Sequence, residues 1–216
     1  MSEQVIKLER LNRSELVKRG RRLEYMTIVW NTLEGLIAVS AGIIAGSVAL
    51  IGFGFDSLIE VASGGALMWR LHADLDESRR ERAEAITLRL VGACFIVLAL
   101  YVVYDAGLSL WRHEPPERSL PGIAISIAAL IVMPLLSHAK RKVGRSINSG
   151  AMMADAKQTE LCAYFAAITL GGLVLNALLG WWWADPVAAL IMVPIIVKEG
   201  IEGLRGETCC DDGCQS

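Results

Sequence analysis

Six separate stretches of about 20 predominantly apolar residues occupy most of this 216-residue chain. They run approximately over residues 23–46, 48–69, 90–111, 120–138, 153–179 and 184–204. At about 1.5 Å of rise per residue, each is long enough for a helix to cross a hydrocarbon core of about 30 Å. With 54% hydrophobic residues and a mean hydropathy of +0.45, the composition is too apolar for an ordinary soluble domain of this size. The expected fold is therefore an all-α membrane protein, a six-transmembrane-helix bundle. Its expected parts are a cytoplasmic amphipathic N-terminal segment (1–22), the helical domain (23–204) and a short Cys-containing cytoplasmic tail (205–216). The first apolar run follows a long charged segment, carries Asn31 and Glu34, and has no small-residue cleavage site, so it is not a secretory signal.

Charge sets the expected orientation. Lys7, Arg10, Arg13, Lys18, Arg19, Arg21 and Arg22 precede the first run, Arg70, Arg79, Arg80 and Arg82 follow the second, and Lys140, Arg141, Lys142 and Arg145 follow the fourth. These regions share one side, while the other has Arg112 and Arg118, so both termini are expected to be cytoplasmic. Tyr25, Trp69, Trp111 and Trp181, Trp182 and Trp183 fall near predicted helix ends, as interfacial anchors do. Val5, Leu8, Leu11 and Leu16 recur at helical spacing among charges, which predicts a surface-lying helix. Asp74 to Glu84 reads as a solvated loop, and Glu114 to Glu117, with its two prolines, as a rigid polar turn. Pro134 is expected to kink the fourth helix, and Asp185 to cap the sixth with Pro186 in its first position.

Ionisable groups inside a spanning helix are costly, so each needs a partner, a wet cavity or a function. Asp56 and Glu60 stand four residues apart, on one face of the second helix, where two carboxylates repel unless protons or a cation lie between them. In the fifth helix, Asp155, Gln158, Thr159 and Cys162 fall in one sector at about 100° per residue. Lys157 and Glu160 point away, as an ion pair or a helix-end anchor. Oxygen donors with a Cys162 thiolate suit zinc or cadmium, so the expected metal ligands are Asp56, Glu60, Asp155, Gln158 and Cys162. Asn31, Glu34 and Thr159 could orient those ligands or pass protons; Glu34 pairing with Lys157 is an equally good reading. Gly35, Ala38, Gly42, Gly52, Gly54 and Gly64 would let the first two helices approach closely.

The run Gly46-Ser47-Val48-Ala49-Leu50 followed by Asp56-Ser57-Leu58-Ile59-Glu60 resembles the second-helix signature of the cation diffusion facilitator family. Asn31, Ala154-Asp155 and Ala184-Asp185 add to the likeness, which covers nearly the whole apolar part. The resemblance implies that two residues four apart bind the transported metal. It also implies a His and an Asp four apart on the fifth helix, where this chain has Gln158 and Cys162. Family members usually carry a cytoplasmic ferredoxin-like domain, whereas twelve residues follow Leu204 here, so a short form is expected. Cys209, Cys210, Asp211, Asp212 and Cys214 could collect metal, and a reducing cytoplasm argues against disulfides among them.

What the resemblance implies is export of a divalent transition-metal cation, zinc first, in exchange for protons, by a homodimer. The compact form suggests a bacterial inner membrane. No resident cofactor is expected, and the bilayer, the metal ion and a second copy are the expected partners. A non-transporting intramembrane metal sensor or scaffold would use the same ligands. An enzyme is disfavoured: there is no HExxH pattern, no glycine-rich phosphate loop, and His72, His113 and His138 sit at helix ends or loops. The basic N-terminal segment is explained by membrane topology, without nucleic acid.

Overall fold

The computed structural model describes residues 3–72, 77–113, 116–147 and 150–205. Cys209, Cys210, Asp211, Asp212, Cys214, Asp74 and Glu114 lie outside them, and the part of the expected Asp74 to Glu84 loop that is described, from Glu77 on, is helix and not loop. Six helices follow one another: α1 (Glu3–Ala45), α2 (Val48–His72), α3 (Glu77–Arg112), α4 (Leu120–Ile147), α5 (Gly150–Leu179) and α6 (Ala184–Arg205). Five are long and apolar enough to span a membrane. The sixth is long enough, at 22 residues or about 33 Å. Lys198, Glu199, Glu202 and Arg205 crowd its last turns and make it more polar than the rest. The boundary expected at residues 22/23 falls inside α1, which runs unbroken from Glu3.

The helices pack as antiparallel neighbours, most extensively α4 on α5, α3 on α6 and α1 on α2. Small residues make this possible. A Cβ added to Gly54 would lie 2.7 Å from the Val39 backbone N, and one on Gly92 2.5 Å from Leu204 N, so no larger residue fits those crossings. α2 is the central element, touching α1, α3, α5 and α6. In its most apolar stretch 61% of residues are buried, against 33–44% in the other four spans, so it is the one least exposed to lipid. Outward faces carry Leu36, Ile44, Val97, Leu100, Ile131 and Leu135, all exposed, as contact with acyl chains requires. Trp111, Trp181 and Trp183 are exposed near helix ends, matching the anchor role, whereas Tyr25, also exposed, lies midway along the unbroken α1.

One end of the bundle is closed by backbone capping. Gly46 has φ +65°, and the hydrogen bonds Gly46 N to Ile43 O (3.4 Å) and Ser47 N to Gly42 O (3.0 Å) form a Schellman cap on α1. Ser47 then caps α2 by accepting from Leu50 N at 3.1 Å. Asp185 corrects an expectation. α6 starts one residue earlier, at Ala184, and the Asp185 carboxylate serves α2, accepting from the Ser47 hydroxyl and from Ala49 N (3.4 Å). A carboxylate at that N-terminus also complements the helix dipole. At the same end Glu117 N donates to Ala45 O (2.8 Å) and Asn176 Nδ2 to Pro116 O (2.9 Å). α4 and α6 continue through Pro134 and Pro194.

Candidate cation site

Asp56 and Glu60 lie 8 and 12 residues into α2, about 12 and 18 Å from its start, and Cys162 lies 12 residues into α5. The central crossing of α2 on α5 thus puts all three near mid-bundle. Their side chains meet: the Cys162 thiol lies 2.6 Å from Glu60 Oε2 and 3.0 Å from Asp56 Oδ2. Thr159 donates to Glu60 Oε1 at 2.8 Å. All four residues are buried. Four-residue spacing on α2 and three-residue spacing on α5 keep each pair on one face of its helix, and these faces meet.

Around this core the polar residues sort into two groups. On α1, Glu34 accepts from Ser57 Oγ (2.8 Å) and from the Trp30 indole, so it stands beside the α2 acids and not against Lys157, which is exposed. Toward the other end of the bundle, Lys140 of α4 is wholly buried and lies 2.6 Å from Asp155 Oδ2 and 3.2 Å from Glu24 Oε2. Its ammonium also reaches Thr159 Oγ1 at 3.3 Å. One polar chain therefore runs from Glu60 through Thr159 and Lys140 to Asp155 and Glu24. Asp155, expected among the metal ligands, is placed in this ion-paired cluster and not against Cys162. Gln158 is half-buried and takes no part in the linked set. Glu160 pairs with Arg141 across α4 and α5, and not with Lys157.

Lys140, Glu24 and Ser57 are the site neighbours that reading single helices missed. A signal was available for Lys140: Ser126, Ala129, Met133, Ser137, Lys140 and Gly144 recur at helical spacing and are all buried. A cluster of basic residues at a helix end invites a topological reading that hides the one member facing inward.

Charge distinguishes the two groups. Among the described residues no salt bridge reaches Asp56, Glu60 or Glu34, whereas in the other cluster the Lys140 ammonium offsets one of the two carboxylates it touches. Two or three buried acids without a resident cation call for protons or an external one. Among the described residues no three acidic, Cys or His side chains are already spaced as an ion's ligand shell. The reason is metric. Sulfur at about 2.3 Å and oxygen at about 2.0 Å from one zinc stand about 3.5 Å apart at the tetrahedral angle. The observed sulfur–oxygen distances, 2.6 and 3.0 Å, are both shorter than that. Seating an ion among them requires the α2 and α5 side chains to separate by about 0.5–0.9 Å, a rotamer-scale change.

Known proteins support the reading of the fold. The profile of the cation efflux transmembrane domain matches residues 25–206. An uncharacterized transporter of Synechocystis sp. is 28% identical over 160 residues, 71% of this chain and 52% of the relative. A cation-efflux pump of Shewanella oneidensis is 24% identical over 121 residues, 56% of this chain and 40% of the pump. A cadmium, cobalt and zinc/H(+)-K(+) antiporter of Bacillus subtilis is 28% identical over 128 residues, 56% of this chain and 38% of the antiporter. The matched part is thus about half of these relatives' length or less.

Proposed function

The chain belongs to the cation diffusion facilitator family, and on that premise we propose that it exports a divalent transition-metal cation, zinc first, from the cytoplasm in exchange for protons. The observation that carries this is the Cys162 thiol set between Asp56 and Glu60, buried at mid-bundle with no ion pair reaching either acid among the described residues. The donor set of two carboxylates and one thiolate favours zinc and cadmium over magnesium or calcium. The named substrates of the Bacillus subtilis relative agree with that preference.

Binding requires the thiolate and carboxylate forms, so an ion entering the site displaces protons, and protons arriving from the other side displace the ion. Metal affinity therefore rises with pH and falls as the groups are reprotonated. The basic-rich end of the bundle, with Glu24, Lys140 and Asp155, faces the cytoplasm by the positive-inside rule. In this arrangement the Lys140 ion pairs tie α1, α4 and α5 together on that side, so loading from the cytoplasm requires them to part. The reading includes a homodimer in a bacterial inner membrane, as the family likeness implies.

Metal-driven proton flux in proteoliposomes tests it, with zinc, cadmium, iron(II) and manganese at equal gradients and Asp56→Ala beside the wild type. Flux in the wild type and its loss in a correctly inserted mutant is expected. Tight zinc binding without flux in the wild type would replace transport by sensing or scaffolding.

A further inference from the structure

α1 carries a buried stripe of residues at helical spacing, Glu24, Thr27, Asn31, Glu34 and Ala38. Every polar member but one has a partner. Glu24 meets Lys140, Thr27 donates to Leu23 O (3.0 Å), and Glu34 is bonded to Trp30 and Ser57. Asn31 is 0% exposed, and among the described residues neither its amide oxygen nor its amide nitrogen has a hydrogen-bond partner. Leaving such groups unsatisfied costs about 1–3 kcal/mol each, so a buried amide of this kind needs an explanation.

Antiparallel register shows where it stands. Glu34 is opposite Ser57, and Glu24 lies beside Gly64, whose added Cβ would be 2.6 Å from Glu24 Oε1. Asn31, between Glu24 and Glu34 on α1, falls at the level of α2 between those two positions, which is the level of Glu60. We infer that the Asn31 side-chain oxygen is the fourth donor to the transported cation, completing a shell with Asp56, Glu60 and Cys162. This rests on the metal-site reading above and adds the ligand from α1. Two carboxylates, one thiolate and one amide oxygen supply the four donors that a tetrahedral ion requires. A neutral fourth donor satisfies coordination without adding a further buried negative charge that must be protonated when the ion leaves. It also ties α1 to the loaded site, so that ion occupancy is felt by the helix that carries Glu24 toward the Lys140 cluster.

The test uses the full chain in detergent, titrated with zinc and, for spectra, cobalt(II). Asn31→Leu, nearly isosteric but apolar, should weaken zinc binding about tenfold or more and alter the cobalt d–d bands while the thiolate charge-transfer band persists. Its metal-free thermal midpoint should stay level or rise, because an unsatisfied buried amide is replaced by an apolar group. Asn31→Asp, which keeps an oxygen donor, should bind zinc at least as tightly as the wild type and serves if the leucine variant folds poorly. Wild-type affinity with an unchanged cobalt spectrum in Asn31→Leu would overturn the inference, as would a loss in Asn31→Asp equal to that in Asn31→Leu. If Asp56→Ala bound zinc as the wild type does, the metal site itself, and not Asn31 alone, would be wrong.

Discussion

Two buried acidic clusters stand one above the other in this bundle, and they differ in a single respect. Glu24 and Asp155 enclose the ammonium of Lys140, a cation supplied by the chain itself. Asp56 and Glu60 have no ion-paired cation among the described residues and meet only neutral donors, the Cys162 thiol and, at Glu60, the Thr159 hydroxyl. Burial is similar in the two, since Lys140, Glu24, Asp56, Glu60 and Cys162 are buried and the Asp155 side chain is 12% exposed. A buried carboxylate needs a compensating positive charge or a proton wherever it lies. Where a lysine supplies it, the cluster is a structural joint between α1, α4 and α5. Where nothing but a proton does, the cluster is open to exchange with an external ion. Thr159 touches both, accepting from Lys140 (3.3 Å) and donating to Glu60 (2.8 Å), so the state of one is communicated to the other.

Removing the built-in cation is the strongest way to break this contrast. Lys140→Met should strand Glu24 and Asp155 and destabilise the protein by about 3–5 kcal/mol, read as a lowered thermal midpoint in detergent. Adding Glu24→Gln and Asp155→Asn to the same protein should recover most of that loss; no recovery would mean that Lys140 acts by packing and not by charge. A smaller effect belongs to the opposite end of the bundle. Ser47→Ala removes the α2 cap and a hydrogen bond to Asp185, and should cost about 1 kcal/mol of stability while leaving zinc affinity unchanged. A fall in zinc affinity in that variant would show that the α2 terminus is coupled to the site about 12 Å further along the helix.

Much of this was legible in the chain before any coordinates. Six apolar runs gave six helices because in a membrane only intra-helix bonding satisfies the backbone, and length alone then fixes what can span. The Asp56–Glu60 pair and the Cys162–Thr159 face were legible because both pairs sit at helical spacing. What single-helix periodicity cannot reveal is which faces of different helices meet. Asp155 shares a sector with Cys162 on α5, yet it lies almost two turns nearer the basic end, where Lys140 claims it. Asp185 reads locally as a cap for its own helix, but the short turn at Gly46 brings the start of α2 to it instead. The length of α1 was also hidden, because its first 22 residues look like a separate amphipathic element. The Lys, Arg, Glu and Leu residues there are strong helix formers and carry the helix onward without a break.

The most direct test of the claim that a thiol proton occupies the ion's place is to count protons released when zinc binds. Purified protein in weakly buffered detergent solution would be titrated with zinc while pH is recorded, wild type beside Cys162→Ser. The account predicts proton release by the wild type and release smaller by about one proton per ion in Cys162→Ser, since a serine hydroxyl does not ionise to bind zinc as a thiol does. Tight zinc binding by the wild type with no proton released, or identical release by both proteins, would contradict it.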